Sequence, residues 1–142
     1  MALHVHHLNE RFSIPFSHLL IDFIPALIQH EKANVGVINL IYTDNTEILE
    51  LNQKYLGHDY YTDVISFPYD YNHGINGDVF ISCDKVEENA REYNTSFDNE
   101  LLRVTIHGIL HLVGYKDSTS AEKKQMRIKE NHYLDYFKIN FS

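Results

Sequence analysis

Residues 96–113 constrain the fold more than any other part of the chain. Apolar side chains cover most of the circumference that this segment would present as a helix, which is typical of a helix buried on all sides. They are Leu101, Leu102, Val104, Ile106, Ile109, Leu110, Leu112 and Val113. Such a helix must run through the interior, with the other elements packed around it. Two histidines, His107 and His111, lie four residues apart within it.

These two histidines have the spacing of metal ligands. Side chains four residues apart on a helix lie about 5–6 Å apart at Cβ, so both imidazoles can reach one ion at about 2.0–2.1 Å. Gly114 permits a sharp turn after the helix, and Asp117 can return as a third ligand. Three protein ligands leave one position of a tetrahedral ion for water, which predicts a metal-dependent hydrolase. A pair of hydrogen-bonded core histidines is the alternative interpretation.

Length and composition fit one globular domain over residues 1–142, with 44% hydrophobic and 23% charged residues. The longest apolar run, residues 19–28, is interrupted by Asp22 and Pro25, so it does not predict a membrane span. The one cysteine, Cys83, excludes an internal disulfide and a cysteine-built metal site. The N-terminal residues lack the pattern of a signal peptide, so we expect a reduced, cytoplasmic setting.

The net charge of −8 argues against strong non-specific binding to nucleic acid. The basic residues are unevenly distributed, however, because half of the 12 lysines and arginines lie between residues 101 and 130. They are Arg103, Lys116, Lys123, Lys124, Arg127 and Lys129. This distribution predicts either a local positive patch beside the metal motif or an ordinary solvated helix face.

The remaining patterns predict short elements around the central helix. We expect strands at residues 3–8, 35–42, 64–69 and 78–82, the last two pairing as an antiparallel hairpin. Helices are predicted from Ser13 to about residue 28, kinked or broken at Pro25, and at 44–55, 84–93 and 119–137. The prediction is an α+β fold in which a small mixed sheet packs with about five helices and the metal-motif helix is central.

Two blocks of residues, His107 to Asp117 and Thr62-Asp63-Val64-Ile65-Ser66-Phe67-Pro68, resemble the signatures of one known family. In the YbeY-type endoribonucleases, also called ribosomal RNA maturation factors, these signatures run His-Gly-x-Leu-His-Leu-x-Gly-Tyr-Asp-His and Thr-Asp-Val-Leu-Ser-Phe-Pro. Leu51-Asn52, Gly77-Asp78 and the pair Met126 and Glu130 fit the same order. The resemblance covers roughly residue 35 to the C-terminus.

The resemblance implies a compact α+β fold, one zinc ion and single-strand endoribonuclease activity. It places that activity in maturation of the small-subunit ribosomal RNA 3′ end and in ribosome quality control. The implied partners are single-stranded ribosomal RNA and the ribosome or its small subunit, with no membrane. His107 and His111 fall on the family's first two metal ligands. Oligomeric state stays open.

The chain departs from the family pattern at two positions. The family's third histidine falls on Asp117, and a carboxylate there weakens the preference for zinc over Mn²⁺ or Mg²⁺. The family's arginine after Leu-Asn-x-x-Tyr falls on Leu56, which cannot bind phosphate. Lys54 and Lys116 are the candidates to replace its charge.

Other residues are candidates for substrate contacts or for supporting the metal ligands. Thr62 and Ser66, together with Lys116, could contact RNA phosphate, although ordinary strand and turn chemistry is the alternative. Aromatic residues between positions 55 and 71 could stack on bases of single-stranded RNA, and ordinary packing at the edges of the sheet is the alternative. Asp63 and Asp78 are candidate acceptors that would fix the tautomers of the ligand histidines, or are turn and cap residues.

Two rival functions follow from the same residues. A zinc peptidase would need a glutamate directly after the first histidine as general base, and Gly108 stands there. A non-catalytic, ribosome-associated factor would use the metal only to stabilise its fold. A fourth protein ligand, for which His58 and His132 are candidates, would favour that second function.

Overall fold

A computed structural model of the chain describes residues 2–8, 12, 14, 16–57, 62–70 and 74–141. Within these residues, four strands and five α-helices alternate irregularly along the chain. They are β1 (Ala2–His7), α1 (Ser17–His30), β2 (Val35–Thr43), α2 (Asn45–Leu51), β3 (Val64–Tyr69), β4 (Ile75–Ser82), α3 (Cys83–Glu92), α4 (Phe97–Val113) and α5 (Ser120–Asn140). This is the predicted α+β fold, with boundaries close to those expected.

The four strands form one mixed sheet in the order β1-β2-β4-β3. Strands β1, β2 and β4 are parallel, whereas β3 runs antiparallel to β4 as the predicted hairpin. β3 lies at an edge of the sheet, where Pro68 is tolerated because its missing N–H removes no ladder hydrogen bond from the interior. The same edge strand passes directly beside the helix that carries the two histidines.

Helix α4 occupies the centre of the fold, as its apolar circumference predicts. It packs against β3 and β4 on one side and against α3 and α5 on others. Gly108 permits the close approach to the sheet, because a Cβ at that position would lie 2.5 Å from Cγ1 of Val79 and 3.0 Å from Cγ2 of Val64. A larger residue after His107 would therefore push α4 away from the sheet.

The helices begin where short polar side chains predict them to begin. The side chains of Asp44, Ser82 and Ser96 accept hydrogen bonds from backbone N–H groups in the first turns of α2, α3 and α4. Thr119 and Glu122 form a complete capping box at the start of α5. These local signals explain why most helix boundaries could be predicted closely.

Three expectations about helices differ from the structure or lie outside the described residues. At Pro25 a kink or a break is predicted, and α1 continues through this residue without a break. The predicted start at Ser13 lies outside the described residues. The helix predicted to run to Tyr55 changes at Asn52 into a π-helical turn, which ends at Gly57 in the left-handed region (φ 66°). No described helix combines the length and apolarity needed to cross a lipid bilayer.

Candidate metal centre

The three predicted metal ligands converge at one point. One ligand atom from each of His107, His111 and Asp117 lies within 4.8 Å of the others. The two Nε2 atoms are 2.9 Å apart, and Nε2 of His107 is 3.6 Å from Oδ2 of Asp117. The histidines come from the last two turns of α4, and the carboxylate comes from the loop that follows.

The turn at Gly114 both ends α4 and brings the loop back to the histidines. Gly114 has φ 123°, a conformation that L side chains rarely adopt, and the N–H of Tyr115 donates to the Leu110 carbonyl at 3.0 Å. The carbonyl of Tyr115 in turn accepts a 2.9 Å hydrogen bond from Nδ1 of His111. The chain therefore reverses at the position that the sequence predicts.

The ring of His107 is oriented by a carboxylate from another helix. Nδ1 of His107 donates a 2.6 Å hydrogen bond to Oε2 of Glu130 on α5, whose side chain is 3% exposed. With a proton on each Nδ1, both Nε2 atoms present lone pairs to the point they share with Asp117. A carboxylate–histidine pair of this kind fixes the ring and makes the ligating nitrogen more basic.

Of the two interpretations of Asp63 and Asp78, the one that makes them acceptors for these rings is wrong, because Glu130 and the Tyr115 carbonyl are the acceptors. Asp78 accepts hydrogen bonds from Nδ2 of Asn39 at 3.0 Å and from the hydroxyl of Tyr69 at 2.6 Å. Asp63 accepts from Nδ2 of Asn89 at 3.1 Å. Asp78 therefore bonds to the two strands that flank β4, and Asp63 bonds to α3. Local spacing in the sequence does not show which distant side chain faces an imidazole.

Glu130 also belongs to a buried chain of charges. Arg103 donates from Nη1 to Glu130 at 2.8 Å and binds Glu100 through two nitrogens, with Nε at 2.9 Å. Burial alone would raise the pKa of Glu130, but the hydrogen bond from His107 and the charge of Arg103 outweigh it and lower the pKa. Two buried carboxylates thus share one guanidinium, and the remaining negative charge faces His107.

The donor set fits a divalent cation. Two imidazole lone pairs facing each other at 2.9 Å repel unless a proton or a metal ion lies between them. Burial and the neighbouring His107 lower the pKa of His111, which favours the neutral, ligating form. Two nitrogens and one carboxylate suit Zn²⁺, and the carboxylate also suits harder ions.

A cleft of about 530 Å³ opens onto this group. All three predicted substrate contacts, Thr62, Ser66 and Lys116, line it together with His111 and Asp117. Leu56, at the position of the family's arginine, lines the same cleft. The Ser66 hydroxyl donates to the Gly108 carbonyl at 2.9 Å and so ties β3 to α4.

A second cleft, of about 350 Å³, reaches the group from the other side. His107 and Asp117 line it with Lys123 and Arg127 from α5. Asp117 therefore belongs to both clefts, and the metal group separates them. Asp63 lies in this second cleft, where burial raises its pKa and the charges of His107 and Arg103 partly offset that rise.

The predicted positive patch is smaller than the sequence indicates. Arg103 is committed to two carboxylates, Lys129 binds Glu31 at 3.1 Å, and Nη1 of Arg127 lies 3.6 Å from Glu130. The exposed members are Lys116, Lys123, Lys124 and Arg127. Lys54 lies over the Tyr55 ring, 5.2 Å from its centroid, and not among the residues lining the cleft of Leu56.

A fourth protein ligand does not join the group within the described part of the chain. His132 is exposed on α5 and packs against the ring of Tyr133, with centroids 4.8 Å apart. The other candidate, His58, lies outside the described residues.

The family model and the relatives that match this chain carry the same description. The family described as Endoribonuclease YbeY matches residues 6–138. A Flavobacterium johnsoniae protein named Endoribonuclease YbeY is 42% identical over 131 residues, covering 92% of this chain and 94% of its own. A Chloroherpeton thalassium protein of the same name is 47% identical over 111 residues, covering 78% and 79%.

A solved structure supports the same fold. The solution structure of a Thermotoga maritima protein superposes with a TM-score of 0.63 at 34% identity, covering 94% of this chain and 87% of that one. The sequence match extends over both signature blocks and over the helix that carries Glu130. The chain therefore belongs to the YbeY endoribonuclease family.

Proposed function

We propose that this protein is a zinc-dependent endoribonuclease that cuts single-stranded RNA, in maturation of the small-subunit ribosomal RNA 3′ end and in ribosome quality control. The observation that carries the proposal is the convergence of His107, His111 and Asp117 beside an open cleft that His111 and Asp117 line. Relatives that are 40–47% identical carry the name Endoribonuclease YbeY. The proposal takes residues 1–142 as one hydrolase domain that acts in the cytoplasm on the ribosome or its small subunit.

The protein's own groups would hold the ion and orient it toward the RNA. Nε2 of His107 and Nε2 of His111 would bind it as neutral imidazoles, with Asp117 as the anionic third ligand. A divalent ion there supplies positive charge for the phosphoryl oxygens and lowers the pKa of a coordinated water toward about 7. Glu130 and the Tyr115 carbonyl keep both rings in the tautomer that this requires.

Contacts to the RNA backbone would come from the wall of the cleft. Lys116 is exposed beside Asp117 and can pair with a phosphate. Thr62 can donate from its hydroxyl at the start of β3. The Ser66 hydroxyl already donates its hydrogen bond to the Gly108 carbonyl. Its proposed role is therefore to accept a hydrogen bond from the RNA or to hold β3 in place. Lys116 would supply part of the positive charge that the family's arginine carries at the position of Leu56.

An aromatic surface next to this cleft supports a single-stranded substrate. A cleft of about 360 Å³ lies between β3, β4 and the π-helical turn, and Pro68 lines both it and the metal cleft. Its aromatic residues are Tyr55, Phe67, Tyr69 and Phe80. Tyr55 is 58% exposed and its ring meets Phe67 edge-on. Unpaired bases can stack on such rings, whereas bases within a duplex cannot.

The two rivals receive less support from the same geometry. A structural metal site closes its coordination with four protein ligands, and the described residues bring three. A peptidase would need a glutamate at position 108, where the close contact of α4 with Val79 leaves no room for a side chain. The open cleft beside the candidate ligands favours an enzyme over a structural metal site.

The proposal is tested by metal content and RNA cleavage in wild type and His111→Ala. Wild type should carry about one divalent ion per chain and cut single-stranded RNA, while leaving a duplex of the same sequence intact. His111→Ala should lose both properties, and His132→Ala, which changes an exposed histidine outside the group, should keep both. RNA cleavage by metal-free His111→Ala protein would overturn the proposal.

A further inference from the structure

A partly buried carboxylate directly after α1 accepts three hydrogen bonds from other elements. Glu31, whose side chain is 9% exposed, accepts at Oε1 from the hydroxyl of Tyr115 at 2.5 Å. At Oε2 it accepts from Nζ of Lys129 at 3.1 Å and from the hydroxyl of Tyr133. Glu31 thus joins α1 to α5 and to the loop after α4.

The groups around Glu31 favour its ionised form. Burial alone would raise the pKa of Glu31, but the hydrogen bonds from Tyr115, Tyr133 and Lys129 outweigh it and lower the pKa. Nζ of Lys129 also lies 5.6 Å from the centroid of the Tyr115 ring. Donors approach both oxygens of Glu31, and a carboxylate accepts at both positions, whereas an amide accepts at only one.

Tyr115 connects this cluster to the metal ligands. Its hydroxyl binds Glu31, while its backbone carbonyl accepts the 2.9 Å hydrogen bond from Nδ1 of His111. Asp117 lies two residues further along the same loop. Movement of the Tyr115 side chain would therefore displace the acceptor of one ligand and the backbone of another.

We propose that Glu31 is a positioning residue of the metal centre, which anchors Tyr115 and thereby orients His111 and Asp117 before the ion binds. The inference rests on the proposed function only in taking these residues as metal ligands. It adds that a side chain on α1, outside both signature blocks, sets the affinity of the site.

Loss of the anchor should weaken metal binding while leaving every ligand in place. Residues that hold metal ligands usually contribute 10–100-fold to metal affinity. Glu31 acts through one intervening residue, so we expect about a tenfold loss, at the lower end of that range. Tyr115→Phe should produce a loss of similar size, because it removes only the hydroxyl and keeps the carbonyl that binds His111.

The test is competition for Zn²⁺ between the protein and a chromogenic chelator, with Glu31→Gln, Tyr115→Phe and the double variant. Tyr136→Phe is the matched control, because its hydroxyl makes no hydrogen bond within the described part of the chain. Ile24→Val, a fully buried residue of α1, controls for general loss of stability. Unfolding temperatures of the metal-free proteins are measured in parallel.

The expected result is weaker zinc binding in Glu31→Gln and Tyr115→Phe, wild-type binding in both controls, and a double variant no weaker than the poorer single variant. Equal zinc affinity in wild type, Glu31→Gln and Tyr115→Phe would overturn the inference and leave the proposed function standing. A wild-type protein that binds no divalent ion would overturn both.

Discussion

Nδ1 of His107 donates to a carboxylate oxygen of Glu130 at 2.6 Å, although the two residues lie 23 positions apart on different helices. The bond joins α4 to α5 at the metal centre. It also connects His107 to the ion pairs of Arg103 with Glu130 and Glu100. His107 is therefore supported by a charge network of Glu130, Arg103 and Glu100 that runs toward the start of α4.

Glu130→Gln tests this network. The amide cannot accept from both His107 and Arg103 as a carboxylate does, so we expect zinc affinity to fall about 10–100-fold. The free energy of unfolding should fall by about 1–3 kcal/mol, because a buried guanidinium loses part of its pairing. Zinc competition and urea unfolding measure the two effects. Glu87→Gln, which changes an exposed ion pair with Arg91, is the control and should alter neither zinc affinity nor stability. Unchanged zinc affinity in Glu130→Gln would contradict the supporting role of Glu130.

The cleft chemistry predicts opposite changes at two positions in its wall. Lys116→Ala should weaken binding of single-stranded RNA and reduce the salt dependence by about 0.7 in log–log slope, the value for one phosphate contact. Leu56→Arg should strengthen binding and increase the slope by a similar amount, because it adds a cation at the cleft. RNA affinity is measured across salt concentrations with metal-free protein, so that no cleavage occurs.

Lys124→Ala is the matched control for these two variants, because Lys124 is an exposed lysine of α5 that does not line the cleft. An equal loss in Lys116→Ala and Lys124→Ala would mean that RNA responds to overall charge alone. The proposed path of the backbone through the cleft would then be wrong.

The aromatic surface beside the cleft predicts a contribution from base stacking. Tyr55→Ala should weaken binding of single-stranded RNA by about 1–3 kcal/mol, while Tyr55→Phe should retain most of the affinity. Ile128→Ala is the control, since Ile128 on α5 is as exposed as Tyr55, at 58%. Binding of an abasic strand measures the backbone contribution separately. If Tyr55→Ala binds the abasic and normal strands with the same ratio as wild type, no base stacks there.

The stability of the metal-free protein should depend on pH through His111. Burial and the nearby His107 lower the pKa of His111, so below the unfolded value of about 6.5 the unfolded chain binds a proton that the folded chain does not. Stability should therefore fall as pH drops below about 6.5 and level off below the folded pKa. Urea unfolding of wild type and His111→Ala between about pH 7.5 and 5.5 measures this contribution.

The free energy of unfolding of His111→Ala should fall less than that of wild type between about pH 7.5 and 5.5. Glu130, whose pKa is lowered, loses its contribution only as pH falls below the usual carboxylate range, so it does not interfere. Parallel profiles for the two proteins would contradict the assignment to His111.

Local sequence signals account for the parts of the fold that could be predicted. The capping box of Thr119 and Glu122 marks the start of α5, and the apolar circumference of α4 identifies it as the central helix. The parallel pairing of β2 with β4 has no local signal, because the intervening hairpin strand β3 lies on the far edge of the sheet. Strand order depends on packing between distant segments, which spacing alone does not encode.

The convergence of the three candidate metal ligands is predictable for the same reason. His107 and His111 share one helix face, and Gly114 allows the return of Asp117, so all three lie within eleven residues of sequence. Their supporting groups are not. The sequence shows Glu130 only as a residue that fits the order of a family pattern, and the other acceptor is the backbone carbonyl of Tyr115, which has no side-chain signature.

The most direct test is an anomalous scattering map recorded at the zinc absorption edge from crystals of the purified protein. We predict one peak within bonding distance of Nε2 of His107, Nε2 of His111 and the carboxylate of Asp117, with one position open to the cleft. A map without an anomalous peak at the shared point would contradict the account. A peak closed by a fourth protein ligand would contradict the enzymatic role and support a structural metal.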